Sequence, residues 1–397
     1  MDEQALQSPA IRARSVSMTS RQLLRGLVIS CLLIPGFASA AEPGLSTNEV
    51  RIGMVNAQSG PAAALGLGML NGAQAYFNRV NAEGGVHGRR ITLLSRDDGY
   101  EPSQTAAHTR SLLKTQQVFA LLGYVGTPTS RAAVPLALRA QVPYLFPFTG
   151  AEFLRTPARP GVFNIRASYI EETEQLVERM TQDLKLSKIA ILMQDDSFGE
   201  SVKGGLNGAL IKRDLTIHAQ ARIQRNSLDV TAAIQALQRT QPEAVFFVGT
   251  YRQLAASIKQ AKALGFNTRF ISVSFIGTEG FIREIGSDGD GVYISQVVPS
   301  PDDRSLALVR AYQADMQPGD FDHASLEGYI GAAVFTQALR KAGTEPTRET
   351  FLDALEHLET DLGGFKVAFS RSQHQGSRAV FLTRIENGQA VPVKTMR

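Results

Sequence analysis

From Glu49 onward, short apolar runs alternate with longer amphipathic stretches, and this alternation limits the chain to one broad class of fold. A continuous apolar run is what a strand buried on both faces presents. The amphipathic stretch behind it supplies the crossover helix that parallel pairing requires. Val50 to Val55, Ile91 to Leu94, Phe119 to Leu122 and Val142 to Phe146 read as the strands of a first series. A second series begins near Val162 and continues through Ile189 to Met193, Leu215 to Ala219, Ala244 to Val248 and Phe270 to Val273. Helix starts between them are marked by the pairs Ser168 with Glu171, Ser197 with Glu200 and Thr250 with Gln253, each spaced as a capping box. Two series of one form predict an α/β protein of two similar parallel-sheet lobes. Beyond them the pattern predicts a strand over Val292 to Val298 and helices over Ser305 to Gln313, Ala324 to Ala342 and Arg348 to Leu358. Phe365 to Phe369 and Ala379 to Ile385 alternate in character, as antiparallel strands at a sheet edge do. No stretch reads as a flexible tether, so several ordinary strands are expected to join the lobes.

Two turns of one kind stand close together in the first series. After Leu122 come Gly123, Gly126 and Thr127-Pro128; after Phe146 come Pro147, Phe148, Thr149 and Gly150. Thr127-Pro128 predicts a helix start, with Thr127 as N-cap and Pro128 at the first helical position. The N–H groups of Thr129 and Ser130 would then carry the positive end of the helix and suit a carboxylate. In open parallel sheets ligands bind beyond the carboxyl ends of the strands. The loops there carry Ser59, Tyr124, Thr127, Phe148 and Thr149 in the first lobe, and Phe198, Thr250, Tyr251, Ser274 and Phe275 in the second. Hydroxyls and helix starts serve a carboxylate, aromatics cover an apolar body, and no strongly charged cluster is evident.

Residues 1–40 read as a cleavable leader. Arg21 and Arg25 precede the apolar run Leu27 to Ile34, and Ala38-Ser39-Ala40 predicts cleavage before Ala41, which places the mature protein in the periplasm. Met18 is an alternative start, and a lipidated Cys31 is the minor alternative to cleavage. Cys31 is the chain's only cysteine, so the mature part holds no disulfide. With the leader's four basic and two acidic residues removed, the formal charge of +4 falls to +2. Basic residues are dispersed, which speaks against a nucleic-acid partner.

Catalytic and metal chemistry find little footing. The histidines at 87, 108, 218, 323, 357 and 374 lack ligand spacing, and neither a G-x-S-x-G elbow nor a P-loop occurs. Asp97-Asp98 and Asp195-Asp196 read as solvated turn acids and not as a magnesium site. No cofactor is expected. Gly66-Leu67-Gly68 begins a dinucleotide fingerprint, but Asn71 replaces its third glycine and the run lies well beyond the strand, which disfavours an NAD-dependent oxidoreductase.

The segments VRIGMVNAQSGPAAALG, DDGYEP, LLGYVGTPTS, VPYLFPFTGA, FNIRASY, ILMQDDSFGES and AVFFVGTYRQLAASIKQAKALGF, in this order, resemble the type I periplasmic solute-binding proteins of ABC importers, in the Leu/Ile/Val-binding group. The resemblance implies two lobes joined by a three-segment hinge, with 41–165 and 298–362 in the first and 166–297 and 363–397 in the second. It also implies a ligand held as the lobes close, a monomer, and an inner-membrane permease as partner. A regulatory ligand sensor of the same fold is the alternative. Residue by residue, Thr127 stands at the family's carboxylate-binding hydroxyl and Leu65 at a position touching the apolar part of the ligand. Phe148 matches a residue offering backbone contacts. Gly150 replaces the family's following Thr, with Thr149 one place early. Phe198 replaces the Tyr of D-x-x-Y-G, and Tyr169 follows the hinge-like segment. Ser274 stands where amino-acid binders carry an acid for the ligand's ammonium, so the resemblance implies a small carboxylate ligand that is either an amino acid or an aromatic or keto acid without the α-amine. Glu279 is the nearest substitute acid, and Arg166 is either an ion-pair partner or a carboxylate clamp.

Overall fold

The computed structural model describes residues 42–397. The expected leader, with Cys31 and the cleavage point before Ala41, lies outside the described residues. Among them, no helix is long and apolar enough to cross a membrane.

The first series folds as β1 (Glu49–Asn56), α1 (Ala63–Ala82), β2 (Arg90–Asp97), α2 (Pro102–Lys114), β3 (Ala120–Leu122), α3 (Thr127–Arg139), β4 (Tyr144–Leu145) and β5 (Val162–Phe163). Its strands form one parallel sheet in the order β2-β1-β3-β4-β5. The second comprises α4 (Tyr169–Gln182), β6 (Ile189–Gln194), α5 (Ser197–Ile211), β7 (Gln220–Ile223), α6 (Thr231–Thr240), β8 (Ala244–Val248), α7 (Tyr251–Ala263), β9 (Arg269–Ser272), α8 (Thr278–Ile285) and β10 (Tyr293–Gln296). Its parallel part runs β7-β6-β8-β9-β10, the same order as the first sheet. The repeated pattern in the sequence is therefore a repeated topology. In both sheets the order reverses beside the first strand, so the loops after β1 and β3, and after β6 and β8, flank a switch point.

The chain then returns to the first lobe with α9 (Ala307–Asp315), α10 (His323–Lys341) and α11 (Arg348–Glu356). A small ribbon of β11 (Glu359–Asp361) and β12 (Lys366–Ala368) follows, and β13 (Phe381–Glu386) and β14 (Gln389–Val393) extend the second sheet antiparallel beyond β10. One of the two expected edge strands thus joins the sheet, and the other pairs apart from it. Phe365, Val367 and Phe369 pack with the first sheet's core, so the last crossing falls after Phe369 and not at 363. It pairs with the first crossing, where the N–H groups of Gly376 and Ser377 donate to the carbonyls of Asn164 (2.8 Å) and Ile165 (2.8 Å).

Helix α10 lies almost in backbone contact with α1. A Cβ at Gly72 would be driven into the Ser325 carbonyl, and one at Gly66 into the carbonyl of Ala57. Gly66 of the fingerprint-like run is thus spent on close packing, as is Gly68, where a Cβ would press on Ala324. Ser168/Glu171 and Thr250/Gln253 form the expected capping boxes. Ser197 does not: Asp196 caps α5 by accepting from the Phe198 N–H (2.8 Å), while Glu200 pairs with Arg222. The strand expected over Leu215 to Ala219 comes later, at β7, where the register with β6 begins at Gln220; burial already alternates through Leu215 to Ala219, so alternation alone did not mark the start of pairing.

Candidate functional site

The carboxyl ends of the two sheets face one another, and most of the expected site residues meet between them. At the first lobe's end, Gly126 and not Thr127 is the N-cap of α3. Its φ of 104° is a conformation open to glycine, and a Cβ there would strike the Tyr100 ring. Thr127 and Pro128 take the first two helical positions. The helical ladder begins when Ser130 donates to the Gly126 carbonyl (3.1 Å), leaving the N–H groups of Thr127 and Thr129 outside it. The expected donor pair is thus shifted by the one-residue change in cap.

A chain of hydroxyls runs from this helix start into the second lobe. Thr127 Oγ1 lies 2.8 Å from Thr149 Oγ1, which donates to the Tyr169 hydroxyl (3.2 Å). All three residues are buried, and burial raises Tyr169 to about 12, so its hydroxyl stays protonated. Gly150 makes the approach possible, because a side chain there would occupy the Tyr169 ring; its carbonyl accepts the Tyr169 N–H (2.8 Å).

Aromatic rings close over these hydroxyls. Phe198 stands 4.4 Å from Phe275 and 5.5 Å from Tyr169 between ring centroids, and Phe275 reaches Phe148 (5.6 Å) and Tyr100 (5.9 Å) of the first lobe. On the other side of the switch point, Leu65 abuts Gly277, and the Tyr251 hydroxyl accepts the Ala64 N–H (3.4 Å). At the rim, Arg225 pairs with Glu101 (3.0 Å), and Asn226 donates to the Gly99 carbonyl (3.2 Å). Ser59 is exposed on the first lobe's rim, its N–H donated to Asp97 (3.2 Å). Tyr124 is not brought to the cleft. Its ring packs on Tyr144 in the core under α2 and α3, and its hydroxyl bonds Thr109 (3.0 Å).

The far side of the cleft holds a charged cluster, contrary to the sequence expectation. Arg166, in the first crossing, is wholly buried with its guanidinium 4.5 Å above the Phe148 ring. It contacts the Ser274 hydroxyl, lies 3.5 Å from Glu172 of α4 and 3.6 Å from Glu327 of α10, and so joins groups from both lobes. Glu172 Oε2 accepts from the Ser274 N–H (2.8 Å) and the Ser295 hydroxyl (2.6 Å). Arg166 Nε and Nη1 and Glu172 Oε1 have no hydrogen-bond partner. Burial opposes the Arg166 charge, but Glu327 and Glu172 outweigh it and hold its proton more tightly than usual. Burial pushes Glu327 up to about 7, against the pull of Arg166. Arg155 braces the segment by donating to the carbonyls of Ala151 (3.0 Å), Thr149 (3.2 Å) and Arg166 (3.0 Å).

Helical spacing held a signal for this cluster. Glu172 falls on the buried stripe with Leu176, Val177 and Met180, and Glu327 is the one acid within α10, a helix rich in small apolar residues. Other acids are spent elsewhere. Glu279 bonds His323 Nδ1 (2.6 Å), and Asp98 accepts from the Tyr100 N–H (2.9 Å) and the Thr105 hydroxyl (2.7 Å). Among the described residues, no group of three or more His, Cys, Asp or Glu is placed to hold a metal ion.

Neutral hydroxyls at one side and aromatic walls thus meet where the strand ends of the two lobes face one another. The periplasmic binding protein family matches residues 49–390. This chain belongs to that family. The family is one of solute-binding proteins and not of enzymes, in keeping with glycines spent on packing. The binding protein is 24% identical over 364 residues to the Leu/Ile/Val-binding protein BraC3 of Rhizobium johnstonii, covering 89% of this chain and 96% of that one. It is 22% identical over 327 residues to the leucine-specific-binding protein of Salmonella typhimurium, covering 82% and 86%. Among solved structures, a possible leucine/isoleucine/valine-binding protein from Rhodopirellula baltica SH 1 matches with a TM-score of 0.83 and 33% identity, covering 88% of this chain and 97% of that one.

Proposed function

We propose that this binding protein captures a small carboxylate with an apolar body in the periplasm and, as a monomer, delivers it to an inner-membrane ABC permease. One observation carries the reading: the chain of hydroxyls from Thr127 through Thr149 to Tyr169 at the start of α3, roofed by Phe148, Phe198 and Phe275. Neutral donors beside a helix N-terminus favour an anion without burying a second charge against it. In this reading Thr127, Thr149 and Tyr169 hold the carboxylate, and Leu65, Tyr251 and the three Phe rings enclose the body. Ser59 lies at the rim, Ser274 at the far side, and Tyr124 is a core residue. Named relatives bind leucine, isoleucine or valine, all carboxylates with apolar bodies, and a structure from Thermus thermophilus described as a branched-chain amino acid ABC transporter holds valine.

Thermal unfolding of the purified, ligand-stripped protein tests the reading when each acid is set against its amide: L-leucine against L-leucinamide, and isocaproate against isocaproamide. At least one acid is expected to raise the midpoint, with about 2.7 kcal/mol of stabilisation at a hundredfold excess over its Kd, while its amide does not. Equal shifts from acid and amide would sink the carboxylate placement.

A further inference from the structure

Glu279 is turned toward the opposite lobe. It lies in the first turn of α8, in the second lobe, and its partner His323 opens α10, in the first. His323 Nδ1 donates to Glu279 Oε1 (2.6 Å), and the His323 N–H donates to Oε2 (3.2 Å), so both carboxylate oxygens are held across the lobe boundary. The start of α8 is pressed onto the first lobe here: Leu65 abuts Gly277, and a Cβ at Gly280 would come within 3.1 Å of Ala64. The His323 and Glu279 side chains are 9% and 18% exposed, whereas Arg225 and Glu101, the ion pair at the rim, are 25% and 44% exposed. Water and salt screen the rim pair more, so it contributes less to holding the lobes together.

We propose that Glu279 and His323 are positioning residues for closure: their pair fastens the lobes together, and closing the cleft binds a proton on His323. The inference goes beyond the carboxylate reading and does not depend on which solute is bound. With the lobes apart, His323 loses Glu279 and titrates as an ordinary imidazole, at about 6.5. With the lobes together, burial opposes the His323 charge, but Glu279 outweighs it and holds the proton above that range. His323 in turn holds the Glu279 carboxyl below its usual range, against the effect of burial. The contribution to closure is therefore complete between the carboxylate range and about 6.5, and it is lost as pH rises toward the higher His323 value. The other groups that face the pair are Asp322 and Glu327 of α10, Tyr312 of α9, Asp302 in the segment after β10, and Arg283 of α8. The first four lie on the first lobe with His323, or on the segment leading back to it, and act on it in both forms. Glu279 and Arg283 arrive with the second lobe, and of these only Glu279 touches the ring.

The test is the distance between the lobes in the ligand-stripped protein, read by double electron–electron resonance at pH 6.5 and pH 9. Residues 41–397 contain no cysteine, so spin labels at Gln104→Cys and Leu228→Cys, both exposed and one on each lobe, report that distance alone. The ratio of short to long distances is expected to fall about tenfold or more from pH 6.5 to pH 9, as one proton released on opening requires. Glu279→Gln and His323→Gln, made separately, are each expected to abolish this dependence and to leave the long distance in excess at both pH values. One distance distribution at both pH values in the parent would overturn the inference. So would a dependence that persists in either folded variant, since Glu327, pushed up to about 7, would then be its source. Should one variant not fold, the other decides. No solute enters the measurement, so its failure leaves the carboxylate reading standing.

Discussion

The two sides of the cleft are equally buried and chemically opposite. Thr127, Thr149, Arg166 and Glu172 all have no exposed surface, and Tyr169 almost none. On the α3 side the polar groups are neutral hydroxyls bonded in series; on the hinge side they are a guanidinium and two carboxylates. Removing water acts differently on the two. A hydroxyl in such a chain gives up one partner at the cost of about one hydrogen bond, so a ligand oxygen can replace it. A buried ion cluster keeps its partners, because separating them exposes each charge to a medium that cannot solvate it. This contrast underlies the proposal that a ligand engages the hydroxyls, while the cluster stays whole and spans both lobes.

The sharpest way to break this comparison is to take one charge away. Arg166→Met leaves Glu172 and Glu327 buried without a cation and is expected to lower stability by about 3–5 kcal/mol in urea unfolding, with the triple variant Arg166→Met, Glu172→Gln, Glu327→Gln recovering most of it. A single variant as stable as the parent would mean that the cluster is not a mutually dependent unit. The next largest effect depends on pH. Folding raises the Glu327 carboxyl from its ordinary range to about 7, so between those values the folded protein holds a proton that the unfolded chain has released. Stability from this group is present at low pH and lost as pH rises toward about 7. Urea unfolding at pH 5 and pH 8 is expected to show the parent losing about 2–3 kcal/mol relative to Glu327→Gln. Parallel pH profiles would show that Glu327 does not hold its proton in the fold.

The contrast also marks what the sequence made legible. Alternation, helix caps and strand ends are local, so the two parallel sheets, two of three capping boxes and the Thr127 and Thr149 turns could be read directly. Local signals compete at two helix starts: Asp196 and not Ser197 caps α5, and Gly126 takes the cap expected of Thr127. Strand β14, with Pro392 inside and no apolar run, gave no signal to read. The ionic cluster was hidden for a different reason. Arg166, Glu172 and Glu327 come from a crossing segment, α4 and α10, and none implies the others until the chain has returned to the first lobe.

On the neutral side, Thr127→Val keeps the shape and removes one hydroxyl. Stability is expected to change by about 1 kcal/mol, the worth of one hydrogen bond. Affinity for whichever acid binds the parent should fall about tenfold or more, measured by titration calorimetry. Unchanged affinity would move the carboxylate away from α3.

The smallest effect expected is outside the cleft, and it isolates burial as the variable. Arg222 touches Asp195 and Glu200 at 2.5 Å each, closer than Arg166 stands to either of its carboxylates. Its side chain is about a third exposed, however, and water already solvates all three charges. Arg222→Ala is therefore expected to cost no more than about 1 kcal/mol, to lose that much in high salt, and to leave affinity untouched. A loss comparable to that of Arg166→Met would mean that distance and not burial sets the strength of these clusters, and the contrast between the two sides of the cleft would lose its physical basis.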